Sequence, residues 1–119
     1  MMNPNLKQVG ASGEDLAAAH LKKQGYRILE RNYRTPIGEI DLIARHRGVL
    51  VFIEVKTRRS SKFGTPQEAV HPAKQERLRN LAAYYLQQQG LGEVSARFDV
   101  VGILWQGGLA QVEVIEGAF

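Results

Sequence analysis

The chain contains no cysteine, which excludes disulfides, cysteine-held zinc, iron–sulfur clusters and thiol nucleophiles, and agrees with a reducing compartment. Its apolar runs reach only five or six residues, against about 20 for a membrane-spanning helix, so no bilayer segment is expected. The amino terminus, "MMNPNLKQVGASGEDL", lacks the basic patch and apolar stretch of a secretory signal, and the expectation is a cytoplasmic protein with no membrane partner. Residues 1–10 read as a flexible leading segment. No repeat, low-complexity tract or nucleotide-cradling glycine loop occurs; the glycines stand at turns and helix ends. His20, His46 and His71 lie far apart and have no metal-ligand spacing. Trp105 and the tyrosines read as core or strand-edge residues rather than base-stacking platforms.

What is present fits one α/β domain. At 119 residues the chain can bury a single core but not two comfortable ones, so 1–119 is read as one unit. Charge is unevenly placed. From Lys56 to Arg79 seven basic residues face two acids, whereas Asn80 to Phe119 carries one base and four acids. Such a block suits a polyanion, most simply nucleic-acid phosphate, or an ordinary solvated face.

Periodicity and punctuation give the order α-β-β-β-α-β-β. A helix is expected from a Ser12 cap, with Asp15 three residues on, to Gly25. Strands follow over Tyr26–Arg34, Glu39–Arg45 and "VLVFIEVKT", whose almost continuous apolar content marks a central strand covered on both faces. After the loop "SSKFG", Thr65, Pro66 and Glu68 stand at the cap, first-turn and capping-box positions of a helix start. A long helix spans Pro72 to Gln89, and two strands, "ARFDVVGILW" and "LAQVEVIE", close the chain.

One stretch does not fit plain sheet-building. "GEIDLIARHRGVLVFIEVKTRR", Gly38 to Arg59, places acids and a lysine within two strands. A two-residue turn at Arg47-Gly48 pairs His46 with Val49, and counting back sets Asp41 opposite Glu54 and Glu39 opposite Lys56, all four on one face. A longer loop would shift that pairing but keep Glu54 and Lys56 on a shared face. Directly opposed carboxylates repel unless neutralised. Two readings stay open. In one, Glu39 and Lys56 form a cross-strand ion pair on a solvated face; in the other, Asp41 and Glu54, with a nearby backbone carbonyl, bind a hard divalent ion such as Mg2+ or Mn2+.

Asp41 followed by Glu54-Val55-Lys56 resembles the D…(D/E)-X-K signature of the PD-(D/E)XK nuclease superfamily, with Ile40 where the superfamily name has proline. Over nearly the whole chain the blocks "GEDLAAAHLKKQGYRILERNYR", "GEIDLIA", "VFIEVKTR", "AVHPAKQERL" and "RFDVV" resemble the YraN-type family of small bacterial proteins in that superfamily. The resemblance implies a restriction-endonuclease-like mixed central sheet flanked by helices. It implies Asp41 and Glu54 as metal-binding carboxylates, the Val55 carbonyl as a further ligand, and Lys56 as the group that orients the attacking water and stabilises phosphate charge. Archaeal Holliday-junction resolvases of the superfamily place an acid where Glu14 stands, which adds Glu14 to the metal set; its other reading is a first-turn acid favoured by the helix dipole. Arg58, Arg59, Lys74 and Arg77 are the candidate phosphate contacts. The resemblance implies Mg2+- or Mn2+-dependent hydrolysis of DNA, including branched or damaged DNA, and by analogy with the resolvases a homodimer. The rival readings are a nucleic-acid-binding protein that keeps the site without catalysis, and a structural partner in a DNA-maintenance complex.

Overall fold

The computed structural model describes residues 9–59 and 64–119. Of the leading segment read as flexible, residues 1–8 lie outside this set, as does most of the loop at 60–64. The elements are α1 (Val9–Lys23), β1 (Arg27–Thr35), β2 (Gly38–His46), β3 (Val49–Arg58), a 3-10 turn (Gln67–Ala69), α2 (Pro72–Gln88), β4 (Ala96–Gln106) and β5 (Leu109–Ile115). Helix α1 begins before Ser12, which therefore lies within it rather than at its cap.

The strands form one sheet in the order β1-β2-β3-β4-β5. Neighbours are antiparallel except β3 and β4, which run parallel. Parallel neighbours cannot be joined by a tight turn, and α2 serves as the crossover. The β2–β3 turn has Arg47 at φ +53° and Gly48 at φ +77°, the paired left-handed residues of a two-residue hairpin turn, so His46 stands opposite Val49 as expected. Pro72 opens α2, and the capping-box residues before it are bonded: the Thr65 N–H donates to Glu68 Oε1 at 2.6 Å. They hold a 3-10 turn rather than a full helix.

Each face of the sheet carries one helix. On the α1 face, Leu42, Ala44, Val51, Ile53, Val101 and Ile103 pack with Ala17, Ala18 and Leu21. On the other, Ile40, Ile43, Leu50, Phe52 and Val100 pack with Leu78, Leu81, Ala82 and Tyr85 of α2. Strand β3 sends alternate residues into both layers, which explains its unbroken apolar run.

At the sheet end nearest the β2–β3 turn lies a buried polar cluster. Asp99 is fully buried; it accepts the Tyr26 hydroxyl at 2.7 Å, Arg97 Nε at 2.9 Å and the Gly117 N–H at 3.0 Å. Arg97 also meets His46 Nδ1 at 2.6 Å, and the His46 ring stacks on Tyr26 at 3.8 Å. Burial and the Asp99 carboxylate hold the Tyr26 phenol above its ordinary range. Arg97, two residues from Asp99 on the same strand face, is thus its partner.

Candidate functional site

The opposite sheet end, where β3 finishes, gathers the other buried charges. Glu54 and Lys56 continue the row of Leu50 and Phe52 on the α2 face, as a period of two requires. Glu54 has 7% of its side chain exposed, and Lys56 Nζ lies 3.5 Å from its Oε2. A second ammonium arrives from the helix: Lys74 Nζ is 3.3 Å from the same oxygen. Lys74 stands four residues before Leu78 and seven before Leu81, on the stripe that faces the sheet. A carboxylate this deep is costly without compensation, and the two lysines provide it.

Asp41 is held differently. The β2–β3 ladder ends at Leu42 opposite Ile53, and Asp41 Oδ2 instead accepts the Val55 N–H at 2.8 Å. The β1–β2 ladder likewise passes over Asn32 and Asp41, Asn32 having φ +53°. The side-chain alternation breaks here too, since Ile40 and Ile43 both enter the α2 layer. The expectation of one charged face with Asp41 squarely opposite Glu54 and Glu39 opposite Lys56 is therefore corrected. The ladder stops before those pairs, and exposed Glu39 pairs with Arg34 at 3.2 Å. The cross-strand Glu39–Lys56 ion pair is absent among the described residues, and Lys56 pairs along its own strand.

Asp41 and Glu54 still interact. Burial, then the Glu54 charge, push the Asp41 carboxyl up to about 7; the Val55 N–H opposes this, Glu14 adds to it and Lys74 opposes it. Among the described residues no cation lies within ion-pair distance of Asp41. The site thus holds one carboxylate paired with two lysines and another that feels Lys74 only from beyond ion-pair distance.

Glu14 reaches this end because α1 comes very close to β3. A Cβ on Gly13 would lie 2.5 Å from Thr57 Oγ1, so only glycine permits the approach that sets half-buried Glu14 within the field of Asp41. Among the described residues no three His, Cys, Asp or Glu side chains gather tightly enough to hold an ion by themselves. Asp41, Glu54 and the Val55 carbonyl with solvent would suit Mg2+ or Mn2+, since magnesium is usually held by one or two carboxylates and keeps several waters.

The four candidate phosphate contacts separate. Lys74 belongs to the charge cluster itself. Arg58 donates from Nη1 to the Gly64 carbonyl, and its buried Nε has no partner among the described residues. Arg59 and Arg77 are exposed, the Arg77 stem running beside Gly38 at the start of β2. Gln75 donates to the Val70 carbonyl at 3.0 Å and so fastens the start of α2. The place of Lys74 was available from its spacing to Leu78 and Leu81; the departure of Asp41 from the ladder had no such signal.

No described helix is long and apolar enough to cross a membrane. Residues 13–103 match the uncharacterised protein family UPF0102. The chain is similar to a UPF0102 protein of Moorella thermoacetica, 55% identical over 121 residues that cover 99% of this chain and 100% of that one. It is also similar to a UPF0102 protein of Syntrophotalea carbinolica, 49% identical with 93% and 90% covered. A UPF0102 protein of Syntrophus aciditrophicus is 49% identical with 99% and 92% covered.

Proposed function

The chain belongs to the uncharacterised protein family UPF0102, and from the geometry of its site we propose that it is a divalent-metal-dependent nuclease of the PD-(D/E)XK kind that hydrolyses phosphodiesters in DNA, branched DNA included. The observation that carries this reading is the convergence at one sheet end of Asp41, the buried Glu54 and two lysines from different elements. A structural cluster of this size would distribute its cations between both acids. This one leaves Asp41 short of positive charge, as a site that takes up a cation requires.

Asp41 and Glu54, with the Val55 carbonyl, would hold Mg2+ or Mn2+, and Glu14 stands near enough to hold water at its edge. When bound, the ion supplies water activation at neutral pH and neutralises charge developing on the phosphate. The chain's own residues do the rest. The Val55 N–H fixes one Asp41 oxygen, and the other would be the oxygen offered to the ion. Lys56 keeps its ammonium beside Glu54, where it can orient the attacking water and donate to a non-bridging phosphate oxygen as negative charge builds there. Exposed Arg59 and Arg77 would meet flanking phosphates.

The test is cleavage of duplex, single-stranded, flap and four-way-junction DNA with Mg2+, with and without chelator. Activity should vanish with chelator and in Asp41→Asn and Lys56→Ala. Activity that persists in those variants would belong to a contaminant and would remove the proposal.

A further inference from the structure

We propose that Lys74 is the site's internal counter-ion: it releases Glu54 to an incoming divalent cation and turns to a DNA phosphate, so that metal and DNA bind cooperatively. This rests on the nuclease reading above and adds to it a residue that couples the two ligands.

Two lysines share one Glu54 oxygen, at 3.3 Å for Lys74 and 3.5 Å for Lys56. They are not equivalent. Lys56 lies on β3, where the strand is paired with β4 opposite Gly102, and shares the same strand backbone as Glu54. Lys74, little more exposed than Lys56 at 35% against 29%, reaches in from a different element, the first turn of α2. Its position is unfavourable for the helix, because a cation in the first turn opposes the helix dipole, and the α2 first turn contains no acid to offset it. Glu54 is what compensates Lys74 there, and the compensation is reciprocal.

A divalent ion between Asp41 and Glu54 changes this balance. It satisfies the carboxylate that has no paired cation, and it competes with both ammonium groups for the other. Three cationic centres around one carboxylate repel one another. Lys74 is the centre free to leave, and the surface it leaves toward carries Arg77, one turn further along α2. A phosphate of bound DNA is the anion that would receive it. Metal entry thus creates a phosphate contact, and by linkage DNA must raise metal affinity by the same factor.

The experiment titrates MnCl2 calorimetrically into wild type, Lys74→Met and Lys74→Arg, with and without a short phosphorothioate duplex. Lys74→Met, freed of the competing charge, should bind Mn2+ more tightly than wild type by about fivefold or more, the low end of a site-to-site coupling. In wild type, Mn2+ should strengthen duplex binding; that gain should disappear in Lys74→Met and survive in Lys74→Arg. Unchanged or weaker Mn2+ affinity in Lys74→Met, or intact coupling, would overturn the proposal. A measurement on wild type alone guards against a variant that fails to fold. At matched ionic strength, bound Mn2+ should steepen the slope of log K against log salt by about 0.9, one added phosphate contact, and an unchanged slope counts against the proposal. Mn2+ binding that is lost in Glu54→Gln but indifferent to Lys74 removes only the role of Lys74. No Mn2+ binding by wild type removes the metal site and this inference together.

Discussion

The uncompensated Asp41 should make the metal-free protein less stable as pH rises. Its carboxyl stands at about 7 in the folded chain against an ordinary 3.8. Between those values the folded state holds a proton that the unfolded state has released, so the stability slope with pH is negative across that window and flat above it. At about 1.36 kcal/mol per pH unit the difference sets a ceiling of about 4 kcal/mol. Asp41 is not fully enclosed, and solvent screening makes about 2 kcal/mol the working expectation. Asp41→Asn removes the titration while its side-chain oxygen can still accept the Val55 N–H. Urea unfolding of both proteins in chelator at pH 4.5, 6 and 8 isolates the titration of Asp41 and the acids coupled to it, because contributions from carboxylates remote from Asp41 cancel in the difference. The variant should gain on wild type progressively from pH 4.5 to 8. A difference that stays constant, or wild type gaining on the variant as pH rises, would refute the claim that Asp41 is buried without a paired counter-charge.

Gly13→Ala should cost about 1–3 kcal/mol by thermal or chemical unfolding, since the new Cβ meets Thr57 Oγ1, and Thr57→Ala in the same chain should recover part of it. Tyr26→Phe should cost about 1–3 kcal/mol, because the phenol hydroxyl both donates to fully buried Asp99 and accepts from Arg97. Asp99→Ala should cost more, about 3–5 kcal/mol, by leaving the largely buried Arg97 guanidinium without its carboxylate. Glu54→Gln should abolish Mn2+ binding in calorimetry, and undiminished binding would place the ion elsewhere.

Element order was legible because apolar period and punctuation agree at nearly every boundary. The continuous run Leu50–Ile53 announced a strand buried on both faces, and Arg47-Gly48 announced a two-residue turn; both are realised. The same counting failed six residues before that turn, at Asp41. It assumes an unbroken ladder, whereas Asn32 and Asp41 drop out of one ladder and the other ends at Leu42. A break of this kind depends on which backbone group a side chain finds, here the Val55 N–H, and period-two patterning carries no trace of it. The Asp99 cluster was hidden for a related reason: Tyr26 and His46 come to it from distant positions, and only the folded sheet brings them to Arg97.

The two buried charge clusters are the strongest internal comparison the molecule offers. At one end of the sheet, Asp99 receives Tyr26, Arg97 and the Gly117 N–H, and the arginine is itself engaged by His46 and Glu116. Every charge there has a partner, as a cluster selected for stability should. At the other end, Glu54 holds two lysines while Asp41 has a single backbone N–H, two repelling acids and only the weaker, more distant charge of Lys74. Both ends belong to one small sheet built from the same strands, so general looseness of packing cannot account for the difference. A fold able to satisfy Asp99 so fully had the means to satisfy Asp41, and moving one lysine would do so. That this has not happened is the physical reason to read the second cluster as incomplete without a cation, the kind of local cost that proteins retain where a site must bind something.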